Sequence, residues 1–316
     1  MTQTQQIRRT AKPRPATVWA VLGAAYAVFQ IQLFTRWAAN GGLTSGPERD
    51  FHISTARATA ALVFQGIAVV AILAIAIYVL RECLRRRTVT LNAAVFIGFN
   101  SLIWQDPLFD CVRAFVVFNR SVPYVSTWGP YLPGWNNPDA KLLIEPILAP
   151  SGLIMGILIL WVWGQMALTT WLTRTRPAWS GIRLWTVAVL FGLIVNVVLE
   201  SLFIVTGMWA YTATTPGTTV FAGHWYQLNL LHALLIAVTV PTPITVMWFH
   251  AHRKGRAPHI FRGSETLRPA VRGAVRLLAG VGYLNTWMLV FFVGTNLLAV
   301  FGGSMPADMP EYLWPR

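Results

Sequence analysis

Long apolar runs, separated by short polar connections, constrain the fold of this chain more than any other feature. A helix needs roughly 20 apolar residues to cross the hydrocarbon core of a bilayer, which is ~30 Å thick. Only 11% of the residues are charged, whereas soluble domains carry about 25%. The sequence therefore predicts an all-α, polytopic transmembrane helical bundle. The predicted spans, seven in all, are 17–40, 58–80, 91–112, 153–172, 184–206, 225–249 and 277–301.

The basic residues fall in alternate connections, and this predicts the orientation of the bundle. Clusters of arginine and lysine precede the first span and follow the second, fourth and sixth. Because cytoplasmic loops retain positive charge, the N-terminus is predicted inside and the C-terminus outside. We expect a single, multi-pass domain of the cell membrane over 1–316. Its predicted parts are a basic cytoplasmic tail at 1–16 with no cleaved signal, an outer capping loop at 113–152 and a basic cytoplasmic loop at 250–276.

The net charge of +14 raises the question of nucleic-acid binding. Because the basic residues sit in short loops between apolar runs, membrane topology explains them, and no nucleic-acid partner is expected. Cys83 lies in a basic loop and Cys111 at the far end of the next span, so no disulfide is expected between them. No cysteine spacing indicates zinc or iron–sulfur, and neither a metal nor a cofactor is predicted.

The stretch "IWQDPLFDCVR" places charges inside the third predicted span. At 1.5 Å per residue, Asp106 lies ~22 Å along that span and Glu200 lies ~24 Å along the fifth. Both acids are therefore predicted in the outer third of the membrane, where an ionisable side chain is by default a functional candidate facing the bundle interior. Pro107 has no N–H to give the carbonyl of Ile103, and a kink is expected beside Asp106.

Other polar residues are predicted to meet these acids near the outer face. Glu145 directly precedes the fourth span, Trp209 and Tyr211 follow the fifth, and the sixth opens with "HWYQLNLLH". Trp225, Asn229 and His232 are spaced i, i+4 and i+7, which predicts that they share one helix face. Several separate segments are thus predicted to converge on one polar layer.

Each candidate also has a structural interpretation. Asp110 and Arg113 are three residues apart, and we expect them to form an ordinary ion pair near a helix end. Asp106 and Glu200 would then only hold neighbouring helices together through hydrogen bonds. His232, on an apolar face, would be a core histidine whose hydrogen bonds are satisfied.

The residues around these positions resemble a known family. The motifs are "WQDPLFD", "YLPGWNNPDAKLLIEPIL", "NVVLESLFI" followed by "GMWAY", and "GHWYQLNLLHALL". From about the first span to the seventh, they are similar to the AveC-type spirocyclases of avermectin-like polyketide biosynthesis. The resemblance implies a small integral membrane enzyme of secondary metabolism that forms a spiroketal, with dehydration in some members. It favours Asp106 over Asp110 as the catalytic acid of the third span.

These residues suit a cofactor-independent acid–base reaction on a lipophilic, polyketide-like substrate. A carboxyl held protonated in a low-dielectric site can protonate a departing hydroxyl. Two carboxyls in different surroundings can divide the acid and base roles. The predicted catalytic residues are Asp106, Glu145, Glu200, His224 and Tyr226. The predicted substrate-binding residues are Trp104, Gln105, Asn196, Trp209, Trp225, Asn229 and His232.

Two other classes of function stay open from the residues alone. "DPLFD" is a DxxxD pattern like that of membrane prenyltransferases acting on a terpenoid or other lipid, but a diphosphate site also needs further metal-binding acids. A non-enzymatic transporter, channel or receptor also fits seven spans, although no span is visibly broken by paired Gly and Pro and there is no inverted repeat. In that class, the residues open to a metal are Asp106, Glu145, Glu200, His224 and His232.

Overall fold

The computed structural model describes residues 14–43 and 51–315, which are mainly helical. Nearly all of the predicted tail at 1–16 lies outside these residues. The helices are α1 Pro15–Ala39, α2 Thr55–Arg86, α3 Leu91–Asn100, α4 Leu158–Thr175, α5 Gly181–Val205, α6 Leu230–Thr239, α7 Pro241–Arg253 and α8 Pro269–Val300. In the described ranges, 6 segments are long and apolar enough to cross a membrane: α1, α2, α5, α8, Gly152–Thr175 and Leu230–Arg253. These segments indicate a multi-pass membrane protein.

Helix α3 ends earlier than predicted. It stops at Asn100, and a 3-10 helix, Ile103–Asp110, follows. Its 10 residues cover ~15 Å, about half of the hydrocarbon core. Pro107 has no N–H to donate and disfavours α-helical geometry at Asp106. The expected kink is therefore a change of helix type, and the predicted count of seven spans is not confirmed.

The sixth predicted span begins later than expected and is interrupted. Helix α6 has Asn229 as its N-cap, so Trp225 precedes the helix. The predicted shared helix face of Trp225, Asn229 and His232 is therefore wrong. Helix α7 starts at Pro241, which cannot donate a backbone hydrogen bond to continue α6. The single residue Val240 separates the two helices, and Leu230–Arg253 together is long enough for one span.

Three short antiparallel strand pairs join the connections between helices. They are β1 Val116–Phe118 with β4 Trp209–Tyr211, β2 Tyr124–Ser126 with β3 Ile144–Pro146, and β5 Thr219–Val220 with β6 Leu228–Asn229. Pairing of β1 with β4 brings the chain after Asp110 against the chain after α5. The connection at 113–152 is well packed, since Trp128 and Leu132 are buried.

Helix α8 lies at the centre of the bundle and packs against α1, α3 and α6. Glycine allows the closest approaches, because a Cβ at Gly23 would overlap the carbonyl of Leu278 and one at Gly280 would overlap that of Ala94. Small residues have this role at helix contacts within membranes, where apolar burial adds little driving force. Ile67 on α2, by contrast, is exposed, as expected of a surface that faces lipid.

Candidate active site

Asp106 lies in the 3-10 helix after α3 and is buried. Its Oδ2 accepts a hydrogen bond from the backbone N–H of Gly152 at 3.0 Å. Gly152 has a φ of +70°, and a Cβ there would overlap the carbonyls of Pro146 and Ile147, so only glycine fits this turn. Asp106 Oδ1 is buried and makes no hydrogen bond of ordinary geometry among the described residues, although the Ser151 hydroxyl lies close enough to interact with the carboxyl. The carboxyl therefore keeps one acceptor unused.

Glu145 is the central residue of β3, opposite Val125 of β2, and is also buried. Its Oε1 accepts a hydrogen bond from the Thr127 hydroxyl at 2.5 Å. Its Oε2 has no partner within the part of the chain that the structure describes. Burial, and then the charge of Asp106, raise the pKa of Glu145 well above its ordinary value, against the smaller lowering effect of Thr127. Asp106 and Glu145 are therefore electrostatically coupled, and we call them the carboxyl pair.

Asp110 and Arg113 do not form the predicted ion pair. Asp110 Oδ1 instead accepts hydrogen bonds from the backbone N–H groups of Phe115, at 2.6 Å, and Val116, at 3.1 Å. Arg113 donates to the carbonyls of Gly302 and Gly303 at 3.3 and 3.1 Å. The 3-10 helix ends at Asp110, and the turn that follows presents two backbone donors to the carboxylate at short range. Asp110 thus fixes the entry into β1.

Glu200, on α5, belongs to a separate polar group in which both carboxylate oxygens have partners. Asn196, four residues earlier on the same helix, donates to Oε1 at 2.7 Å, as their spacing predicted. The Tyr211 hydroxyl, from β4, donates to Oε2 at 2.7 Å. Burial and the charge of Glu200 raise the pKa of Tyr211 well above its ordinary value, so this residue stays a phenol. His232 Nδ1 lies 3.5 Å from Glu200 Oε1. Glu200, Tyr211 and His232 form what we call the Glu200 relay.

The hydrogen bonds of Tyr211 assign the tautomer of His232. The phenol oxygen lies 2.7 Å from His232 Nδ1 and also 2.7 Å from Glu200 Oε2. Because a phenol carries one proton, which is donated to the carboxylate, its oxygen must accept the proton of Nδ1. The neutral ring then carries a lone pair on Nε2, and this atom is buried with no partner among the described residues. His232 is therefore placed to accept a hydrogen bond through Nε2.

Aromatic rings surround His232. The ring centroids of Phe109, Phe115 and Phe291 lie 6.0, 5.3 and 5.1 Å from that of His232. Phe109 also contacts Trp209 at 6.3 Å. Phe115 connects Asp110 to the Glu200 relay, because its N–H donates to Asp110 while its ring packs on His232. Electron-rich ring faces of this kind stabilise a nearby cation.

Trp104 and Gln105 are held by a residue that the sequence analysis did not single out. Asn285, on α8, accepts from Trp104 Nε1 at 2.6 Å and from Gln105 Nε2 at 2.8 Å through its Oδ1. Its own amide donates to Ser101 Oγ at 2.8 Å. Gln105 Oε1 is buried with no partner in the described ranges. The polar Asn285 within an otherwise apolar run was the available signal.

His224 and Tyr226 are exposed and Trp225 is partly buried, and none of the three is hydrogen-bonded to the buried carboxyls. His224 Nδ1 is 3.2 Å from Asp308 Oδ2, and the N–H of Trp225 donates to Asp308 Oδ1 at 2.9 Å. The His224 and Tyr226 rings are stacked at 5.1 Å, and Tyr226 is 38% exposed. The Arg57 guanidinium lies 4.9 Å from the Trp225 ring.

Asn229 has a capping role, since its Oδ1 accepts from the His232 N–H at 3.2 Å and so starts α6.

Tyr211, which was not predicted as a site residue, links Glu200 to His232. It follows an apolar span in "GMWAY", where an interfacial tyrosine would be ordinary. The return of the chain as β4 places it in the interior instead.

Comparison with protein families gives a match over residues 85–315 to the family described as spirocyclase, AveC-like. The match includes the carboxyl pair, the Glu200 relay and Asn285. No curated protein and no solved structure matches the chain. Because the family match spans well over half of the sequence, the chain belongs to the AveC-like spirocyclase family.

Proposed function

We propose that this protein is a membrane-embedded acid–base cyclase that closes a spiroketal on a lipophilic, polyketide-like dihydroxyketone, or dehydrates such a compound. The carboxyl pair is the observation that carries the proposal. Asp106 and Glu145 are buried together, and each keeps one oxygen without a partner among the described residues. An unpaired buried acceptor is costly in a structural carboxylate. It is expected where a substrate hydroxyl binds.

The reaction balances without a cofactor. One hydroxyl adds to the ketone to give a hemiketal, whose own hydroxyl then leaves as water after accepting a proton. The second hydroxyl attacks the resulting oxocarbenium ion and releases its proton, which restores the acid. One water is lost overall, and nothing is oxidised or reduced.

Glu145 is the acid in this scheme, because burial and the charge of Asp106 raise the pKa of its carboxyl and so favour the protonated form. Asp106, as the other member of the pair, is the carboxylate that faces the developing cation and takes up the released proton, which then passes back to Glu145 and restores the acid. His232 accepts a hydrogen bond from a substrate hydroxyl through Nε2. Glu200 and Tyr211 position His232 rather than touch the substrate.

A synthetic dihydroxyketone that closes to a six,six-membered spiroketal tests this function. Membranes containing the full chain are expected to form one stereoisomer in excess, measured by chiral chromatography with mass detection, because uncatalysed closure gives the equilibrium mixture. Asp106→Asn and Glu145→Gln should abolish the excess. Asp308→Asn, an exposed acid paired with His224, is the matched control. Normal excess in both carboxyl-pair variants at normal expression would refute the proposal.

We also propose that α3 and the following 3-10 helix together make a seventh crossing, with the N-terminus inside and the C-terminus outside in the cell membrane. Near the start of α3, Arg276 at the beginning of α8 donates to Thr88 Oγ1 at 2.9 Å. Past the 3-10 helix, β1 pairs with β4, which follows the end of α5. Reporters fused within 113–152 and 250–276 should therefore report opposite sides. The same side for both would exclude this topology.

A further inference from the structure

A second polar region lies away from the carboxyl pair, where basic connections meet the ends of α2, α7 and α8. A cleft of about 440 Å³ opens there. Its lining includes Arg86, Arg256 and Arg276, together with one acid, Glu82. This cleft plays no part in the proposed cyclisation, and nothing in that reaction requires its charge.

Glu82 is occupied by other groups and does not neutralise the cleft. Arg86 Nε lies 3.2 Å from Glu82 Oε1. Thr90 Oγ1 and Asn92 Nδ2 both donate to Glu82 Oε2 at 2.9 Å. The buried carboxylate therefore anchors one edge of Arg86, whose side chain stays 60% exposed. Arg86 also lines the cleft.

The other two arginines differ in how they are held. Arg276 is fixed, since it donates to Ser264 Oγ at 3.1 Å and packs over the Phe261 ring at 4.8 Å. Arg256 is exposed, and its guanidinium has no hydrogen-bond or ion-pair partner within residues 14–43 and 51–315. The cleft thus joins a preorganised cation to an available one, with no free carboxylate lining it. This arrangement suits an anion with several oxygens.

We propose that this cleft binds the phosphate group of an anionic phospholipid. Basic pockets between membrane helices on the cytoplasmic side are suited to such headgroups, and this is the end predicted to be cytoplasmic. The lining also contains the apolar side chains of Leu91 and Trp248. An acyl chain would cover these apolar side chains. A free phosphate would use the arginines but would leave this apolar surface bare.

Thermal unfolding of the full chain in zwitterionic micelles tests this site by titration. The probes are dioctanoyl phosphatidylglycerol, dioctanoyl phosphatidylcholine and glycerol 3-phosphate. We expect saturable stabilisation by the phosphatidylglycerol alone. Arg256→Gln should weaken the apparent affinity of the protein for phosphatidylglycerol about fivefold, as expected for one arginine near a phosphate. Arg183→Gln, an exposed arginine at the start of α5 that does not line the cleft, should leave the affinity unchanged.

Three outcomes would overturn the proposal. Equal stabilisation by phosphatidylcholine would show that the phosphate charge is not recognised. Equal loss of affinity in the Arg183 and Arg256 variants would show general surface attraction rather than a site. Saturation by glycerol 3-phosphate at the same concentration would exclude the lipid as the source of the phosphate. Each readout is independent of cyclase activity, so failure here leaves the proposed function standing.

Discussion

Glu200 and the carboxyl pair make an instructive comparison, because the sequence predicted Asp106 and Glu200 at the same depth of the membrane. All three acids are buried in the structure. Both oxygens of Glu200 accept hydrogen bonds, whereas Asp106 and Glu145 each have one oxygen without a partner in the described ranges. Burial alone therefore does not distinguish a structural carboxylate from one available to a substrate. We use a second criterion, which is whether a buried carboxylate oxygen lacks a hydrogen-bond partner.

The local backbone explains the difference between these regions. Glu200 lies on the regular helix α5, where Asn196 is within reach four residues away. Asp106 lies in a 3-10 helix, and Glu145 lies in a three-residue strand before the turn at Gly152. These irregular segments place fewer side-chain donors beside the carboxyls. The contrast can be tested by measuring activity and stability on the same variants.

The largest effect is expected for turnover of the dihydroxyketone by Glu145→Gln and Asp106→Asn. Each amide keeps the accepted hydrogen bond but cannot exchange a proton, so the rate should fall about 10²- to 10⁴-fold. The unfolding midpoint should stay close to wild type, because the new NH₂ group takes a position where no donor is displaced. Stereoselective turnover and thermal unfolding would be measured on the same preparations. A large loss of stability without a loss of rate would show that Asp106 and Glu145 have a structural role instead of a catalytic one.

Glu200→Gln is expected to affect stability more than rate. The free energy of unfolding should fall by about 1–3 kcal/mol. The glutamine NH₂ must face either the Asn196 amide or the Tyr211 hydroxyl, and both are donors to the native carboxylate. Unfolding in micelles would measure the effect, with Glu145→Gln as the matched buried-acid control. Equal midpoints for the two variants would remove the distinction between the Glu200 relay and the carboxyl pair.

Tyr211→Phe should have a smaller effect on stability, about 1–2 kcal/mol, because it leaves one acceptor on Glu200 and Nδ1 of His232 without a partner. It should also change the tautomer of His232. In protein labelled with ¹⁵N-histidine, we expect a non-protonated Nε2 signal that is absent in His232→Gln and altered in Tyr211→Phe. Tyr226→Phe, at an exposed tyrosine, is the control. A protonated Nε2 in the wild type would mean that Glu200 donates to Tyr211 instead.

The smallest expected effect is the pH dependence of stability that Glu145 contributes. The pKa of Glu145 is raised above its ordinary value of 4.5, so the folded protein retains this proton where the unfolded chain releases it. The stability contributed by the protonated carboxyl is complete below that ordinary value and is lost as the pH rises toward the folded pKa. The unfolding temperature of the wild type, relative to that of Glu145→Gln, should therefore fall as the pH rises above 4.5. A constant difference across this range would contradict the shift.

Several features of the site were available from local patterns. Asp106 and Glu200 were identified because a charge in a long apolar run is costly, and Asn196 because it lies four residues from Glu200. The predicted ion pair of Asp110 with Arg113 was wrong, because sequence spacing does not show that backbone N–H groups lie closer to the Asp110 carboxylate. Tyr211 was expected in the polar layer, but its link between Glu200 and His232 was not predicted, because that link depends on β4 turning back into the interior.

The sequence by itself determined the class of the protein. Apolar length and the position of basic loops are local properties, and they predict membrane helices without knowledge of which helices touch. Only the tertiary structure decided which acids have partners. A hydrogen bond at 2.7 Å joins Tyr211 to Glu200 and another joins it to His232, and these contacts depend on how α5, β4 and α6 meet. Hydrogen bonding requires distances within a few tenths of an ångström, which no residue pattern specifies across separate segments.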